Sequence, residues 1–267
     1  MKSLWSLEKR KPWCISIRRA QPLKGAELRR IQACIFDLDG VIVDTARLHY
    51  QAWKELADDL GISFSEKDNE RLKGISRMES LEILLQIGGM SVSRVEMAEL
   101  VDQKNRSYVN FVKKMTENDV LPGVRDFVQE LQSHGIRVSV ASASKNAQLV
   151  LRQVGLINAF DAVSDGRMVK RAKPDPEIFL HSSAQLKIPV SNCLVFEDAT
   201  AGIEAAHRAG MVTVGVGNRK SLKNADTTIP GFAGLTIPKL CSKVYRNGTI
   251  EIEFGKEDDN AKKAKIL

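Results

Sequence analysis

Apolar and polar positions follow two different rhythms along this chain. Short apolar runs at 33–36, 136–141, 193–196 and 211–216 each stop on polar residues or glycine, and stretches with helical spacing follow the first three. Apolar runs of this length between turn signals read as buried strands. A shorter strand is expected at 161–164, and helices at 124–133, 147–154, 176–186 and 199–209. Pro176 favours a helix start and Gly210 a helix stop. Repeated strand–helix units imply a parallel sheet covered on both faces. The second rhythm fills 46–119. Leu48, Trp53, Leu56 and Leu60 recur at helical spacing until Gly61, and further helical stretches follow around 66–72, 78–86 and 92–115. One crossover helix is enough to join two parallel strands, so this excess reads as an inserted helical domain. The expected fold is α/β: a Rossmann-like parallel sheet core from 31–45 and 120–267, interrupted by helices over 46–119. Near the end, 249–254 alternates and reads as an edge strand, and 255–267 as a charged, solvated tail.

Charge changes this picture at one place. The chain carries a formal net charge of +7. Residues 1–30 hold nine Lys/Arg against two Asp/Glu, which leaves 31 of each sign in the rest. The body is therefore neutral, and no nucleic-acid partner is expected. The basic leading segment reads as a poorly ordered arm with no assigned function. It lacks an unbroken apolar stretch and a small-residue cleavage site, so no secretory signal is expected. No run is long enough to span a membrane. Cys14, Cys34, Cys193 and Cys241 show no metal-like spacing. Cys34 and Cys193 fall in strands and read as buried free thiols, which suits a reducing cytoplasm.

Candidate chemistry gathers where strands end. The first run stops on Asp37-Leu38-Asp39-Gly40, the second on Ser142-Ala143-Ser144-Lys145-Asn146, and a later one on Glu197-Asp198. In a parallel sheet these ends share one edge, where ligands collect. Carboxylates from two strands suit a hard cation with oxygen ligands, and magnesium is the common one. An ionised Asp beside a metal is also a nucleophile able to form an acyl phosphate. A hydroxyl and backbone amides at a helix start suit a phosphate, and Lys173 would add positive charge to it. Singly, each feature has a plain explanation: a turn at Asp37–Gly40, a helix cap at Ser142 or Ser144, a solvated Lys173, an acidic helix start at Glu197-Asp198. Together, in this order, coincidence explains them poorly.

These elements identify the chain as similar to the haloacid dehalogenase superfamily of phosphotransferases, over residues 31 to about 230. The resemblance implies that Asp37 is the nucleophile and Asp39 the general acid/base. It implies Mg²⁺ held by the Asp37 carboxylate, the Asp39 carbonyl and Asp198, with Glu197 in support. Ser142, Ala143 and Lys173 would hold the transferring phosphoryl group, and the helical insert would be a cap. Within the superfamily the chain closely resembles the β-phosphoglucomutase family at 37–45, His49–Lys54, 72–77, Lys104-Asn105 and 141–146. That implies a second phosphate held by Arg77, Ser144, Lys145 and Asn146, and sugar contacts at Lys104 and around Gly74-Ile75. His49 would lie on the hinge side of the site. Thr45, just after the first strand, and Trp53 are also candidate substrate-binding residues, although Thr45 reads readily as a plain helix cap and Trp53 first as cap core. The loop 165–171 is more basic than the resemblance leads one to expect.

The implied reaction interconverts β-D-glucose 1-phosphate and glucose 6-phosphate through an aspartyl-phosphate and glucose 1,6-bisphosphate, in a monomer. A phosphate moving between two hydroxyls of one sugar must bind in two orientations, so the non-reacting phosphate needs its own site. A forked guanidinium on the cap supplies one. Water competes for the phospho-aspartate, and a closing cap suppresses that loss. A sugar-phosphate phosphatase on the same scaffold is the first alternative, and a non-catalytic phosphosugar sensor the second.

Overall fold

The computed structural model describes residues 5–9, 15–19, 27–72, 75–243 and 250–255. Three strands lie in the leading segment that was expected to be a poorly ordered arm. Strands β1 (Trp5–Lys9) and β2 (Ile15–Arg19) pair antiparallel. The third, β3 (Glu27–Ile31), runs parallel to the last strand among the described residues. Dense positive charge disguised this segment, because charge reads as solvated arm while the backbone remains free to pair.

The central sheet grows from β4 (Ala33–Phe36). Beyond it come α1 (Ala46–Asp59), α2 (Glu66–Asn69), α3 (Arg77–Ile87) and α4 (Arg94–Val112). Then α5 (Val124–Ser133), β5 (Arg137–Ala141), α6 (Ala147–Gln153), β6 (Ala162–Ser164) and α7 (Glu177–Leu186) alternate. They are followed by β7 (Cys193–Glu197), α8 (Thr200–Arg208), β8 (Val212–Val216), β9 (Thr227–Ile229), α9 (Ile237–Cys241) and β10 (Ile250–Phe254). Six strands form one parallel sheet in the order β6-β5-β4-β7-β8-β9. Strand β9 was missed because three residues with two threonines carry no apolar run.

Strand β10 was expected at an edge of this sheet. It pairs instead with β3 in a separate two-stranded parallel sheet, and Gly255 N–H donates to the Ile31 carbonyl at 3.1 Å. Its buried Ile250, Ile252 and Phe254 join the main core, so the pair is docked rather than loose. Arg30 Nε donates to the buried Glu253 at 3.0 Å. The rest of the tail lies outside the described residues.

Strand β4 is apolar throughout because both its faces are covered. Cys34 and Phe36 point into one layer, where Phe36 stacks on Phe196 at 4.7 Å beside Phe127 and Phe232. Ala33 and Ile35 point into the other, against Ile178, Phe179 and Ala205. Helices α1–α4 have a core of their own around Trp53, Leu56, Leu81 and Leu84. Their starts are written locally. Ser65 with Asp68, Ser76 with Glu79 and Ser93 with Glu96 each form a reciprocal capping box, which satisfies backbone donors at the first turn. The chain enters and leaves the helical segment at one place, where Val43 and Val120 form an antiparallel bridge and Leu121 N–H donates to the Ile42 carbonyl at 2.9 Å.

Candidate active site

Strand β4 lies between β5 and β7, so the polar residues after these three strands meet at one edge. Asp37 N–H continues the ladder to the Phe196 carbonyl at 2.9 Å, which fixes the carboxylate just past the strand. Asp39 N–H donates to Asp37 Oδ2 at 2.9 Å. The other oxygen, Oδ1, accepts from Lys173 Nζ at 2.5 Å. Lys173 is itself buried and donates to Glu197 Oε1 at 2.7 Å and to the Ala141 carbonyl at 3.2 Å. It therefore ties the ends of β4, β5 and β7 together.

Two glycines make room for the carboxylates. Gly40 has φ +82°, and a Cβ there would stand 2.3 Å from Asp198 Oδ2. A Cβ on Gly202 would stand 1.6 Å from Glu197 Oε1. A side chain at either place displaces an acid, so glycine is required by close approach. Oxygens of Asp37, Glu197 and Asp198 lie within 4.8 Å of one another. An all-oxygen, multiply anionic set of this size fits a hard divalent cation. Burial raises the Asp37 carboxyl to about 7, even against the Lys173 ammonium. A bound dication would oppose that shift. For Lys173, burial works to lower the pKa, but Asp37 and Glu197 outweigh it and hold the amine protonated.

Asp39 faces the helical segment. Thr45 precedes α1, yet its hydroxyl makes no cap bond and donates to Asp39 Oδ1 instead. His49 Nε2 is 3.7 Å from the same oxygen and has no hydrogen-bond partner, while its Nδ1 is 3.0 Å from Lys104 Nζ. Lys104 is 2% exposed and lies over the rings of Trp53 at 4.7 Å and Tyr108 at 4.9 Å. Burial, with Arg77 nearby, lowers the Lys104 ammonium well below its usual range. Burial, then Lys104 and Arg77, lower the His49 imidazole well below its own. Burial raises Asp39, and the Thr45 hydroxyl opposes it.

Between sheet edge and helices lies a cavity of about 340 Å³. Of the residues singled out from sequence, Asp37, Asp39, His49, Trp53, Ile75, Arg77, Lys104, Ala143, Ser144, Lys145, Lys173, Glu197 and Asp198 line it. Thr45 and Ser142 stand behind the lining: Ser142 is fully buried and its Oγ accepts from Ser144 N–H at 3.1 Å. Asn146 also stands outside the lining; its side chain donates to Asn105 on α4 at 2.8 Å. Gly74 lies outside the described residues. Trp53 belongs to the helical core and to the cavity wall at once. Sequence reasoning missed Asn69, Ser76 and Ser80, all in the wall. The Ser76 capping signal was legible, but its distance from the sheet edge was not. It also missed Lys170 and Arg171 as wall residues, although their loop stood out as basic.

The haloacid dehalogenase-like hydrolase family profile matches residues 31–210. The chain is 42% identical over 212 residues to a β-phosphoglucomutase of Bacillus subtilis, covering 79% of this chain and 94% of that one. It is 45% identical to a β-phosphoglucomutase from Clostridium difficile of known crystal structure, with a TM-score of 0.75 over 77% of this chain and 93% of that one. A phosphorylated-carbohydrate phosphatase of Thermotoga maritima is 33% identical over 184 residues, or 68% and 82% of the two chains.

Proposed function

The chain belongs to the haloacid dehalogenase-like hydrolase family, and we propose on that premise that it is an intramolecular phosphotransferase interconverting β-D-glucose 1-phosphate and glucose 6-phosphate. The reaction passes through phospho-Asp37 and a glucose 1,6-bisphosphate intermediate, with the bisphosphate as primer. One observation carries this reading beyond a phosphatase. The cavity is lined by cationic groups from both sides: Lys145 and Lys173 from the sheet core, and Arg77 from the start of α3. A bisphosphate needs both; a small monophosphate released to water needs only the first.

Asp37 is placed to attack phosphorus, because the Asp39 amide and Lys173 hold its two oxygens in a fixed plane. Asp39 moves the proton. With Thr45 on Oδ1 and a pKa raised by burial, it accepts a proton from the attacking sugar hydroxyl and returns it to the departing one. Ser142 and Ala143 hold the transferring phosphoryl group with Lys173. Arg77, Ser144, Lys145 and Asn146 receive the other phosphate, while Lys104, His49 and Ile75 face the sugar, with Trp53 forming the wall behind. The helices α1–α4 act as a cap that excludes water. Asp37, Asp198 and the Asp39 carbonyl would hold Mg²⁺, supported by Glu197, and the ion would neutralise charge on the group in transfer.

Every residue invoked comes from one chain, so a monomer suffices, and a cytoplasmic setting suits phosphosugars. No helix among the described residues is long and apolar enough to cross a membrane. The test gives purified protein β-glucose 1-phosphate, Mg²⁺ and glucose 1,6-bisphosphate. Formation of glucose 6-phosphate without inorganic phosphate is expected. Rapid phosphate release with no glucose 6-phosphate would instead make it a phosphatase.

A further inference from the structure

Helix α4 touches α6 of the core, and two hydrogen bonds join α6 and its start to α4 and the residues after it. Gln153 Nε2 donates to the Met115 carbonyl at 2.9 Å, near where the helical segment rejoins the sheet. Asn146 Nδ2 donates to Asn105 Oδ1 at 2.8 Å. Asn105 stands about 10 Å back along α4 from its end at Val112, at roughly 1.5 Å per helical residue. A rotation of the cap about its junction would displace the Met115 bond little and the Asn105 bond most.

The second bond also stands between two halves of the site. Asn105 follows Lys104, and Asn146 follows Lys145. The Asn146 backbone N–H is held by Ser144 Oγ at 3.2 Å. Neither asparagine lines the cavity, yet the residue before each does. An asparagine amide has two N–H donors and one acceptor. Giving one N–H to Asn105 fixes which end of Asn146 faces the cap.

We infer that Asn105 is a positioning residue that decides between sugar and water as phosphoryl acceptor. Through Asn146 it sets how far α4 closes on the phosphate-binding loop, so Lys104 and the Ser144-Lys145 pair approach one substrate together. When the bond is lost, closure is looser and water enters. A water oxygen then takes the phosphoryl group, the acyl-phosphate O–P bond breaks to return the Asp37 carboxylate, and the water proton passes to Asp39. The inference rests on the mutase reading above.

The experiment compares wild type, Asn105→Ala, Asn146→Ala, the double variant and Asn105→Asp as full chains in the primed assay. Glucose 6-phosphate and inorganic phosphate are measured together. One neutral hydrogen bond corresponds to about a three- to tenfold fall in the ratio of sugar transfer to hydrolysis for Asn105→Ala. The double variant should lose no more than Asn146→Ala alone, because the two residues act through one bond. Asn105→Asp keeps an acceptor oxygen and should recover the ratio, which a merely structural role does not require. A wild-type ratio in Asn105→Ala, additive losses in the double variant, or an Asp variant as poor as Ala would each overturn the inference. If wild type forms no glucose 6-phosphate, the mutase reading fails by itself. Phosphate release then still decides the positioning role: faster release from Asn105→Ala supports it and an unchanged rate ends it.

Discussion

The two walls of the cavity treat charge in opposite ways. At the sheet edge, opposite charges are matched within hydrogen-bond distance: Lys173 contacts both Asp37 and Glu197. On the cap wall, basic groups crowd together. Lys104 is buried beside His49, and Arg77 lowers the pKa of both. A matched cluster is already organised before any ligand arrives, and its geometry is what in-line attack requires. The cap wall instead gathers Arg77 and the buried Lys104 with a neutral imidazole, a setting that suits an anionic ligand. The sheet edge thus holds compensated charges, and the cap wall holds crowded basic groups.

The sharpest way to break this contrast is at the edge. Asp37→Asn keeps the size of the side chain but removes the nucleophile, and turnover should fall by about 10⁴-fold or to background. Incubation with labelled bisphosphate should leave the variant protein unlabelled while wild type is labelled. On the cap wall, Arg77→Ala removes charge-assisted bonds and should lower sugar transfer by about 10–100-fold. Hydrolysis of a small monophosphate should change far less; equal losses in both assays would erase the difference between the walls.

Smaller effects appear in stability. Lys104 has a lowered pKa when folded, so the unfolded chain binds protons more readily below its ordinary value of 10.5. Stability from this residue is therefore lost as pH falls from 10.5, and at neutral pH its burial is a cost. Lys104→Met should raise the melting temperature by about 2–4 °C while lowering activity. A fall in melting temperature would show that the ring contacts to Trp53 and Tyr108 outweigh burial. The smallest effect belongs to His49, whose lowered pKa leaves it neutral in the folded protein. Between its ordinary value of 6.5 and its lower folded value, only the unfolded chain takes up the proton, so stability declines as pH drops below 6.5. In His49→Gln, the decline in unfolding midpoint from pH 7 to pH 5 should be shallower.

The edge was legible in the sequence and the cap wall was less so, for a physical reason. Strand-end residues are located by a local signal, because an apolar run and the turn after it fix where Asp37, Ser142 and Glu197 stand. The sheet rule then brings separate strand ends to one side. Cap residues have no such rule. Asn69, Ser76 and Ser80 reach the cavity only through how α2 and α3 pack, and packing angle is not written in any short stretch. The bond between Asn105 and Asn146 joins positions in different units, and amides are too common for the pair to stand out. Thr45 shows the same limit at close range: its place before α1 suggested a cap, but its hydroxyl serves Asp39. The strands of the leading segment were hidden by their charge, and β10 found a partner no local pattern could name.

That last pairing has a consequence for how the protein is made. Arg30 and Glu253, neighbours across the β3–β10 pair, are 223 residues apart in the chain. A ribosome adding roughly 5–20 residues per second needs on the order of 10–45 s to travel that distance. For that interval β3 is a completed strand without its mate, joined by a single residue to β4 at the heart of the sheet. The nascent enzyme must keep this edge from pairing elsewhere until almost its last strand emerges.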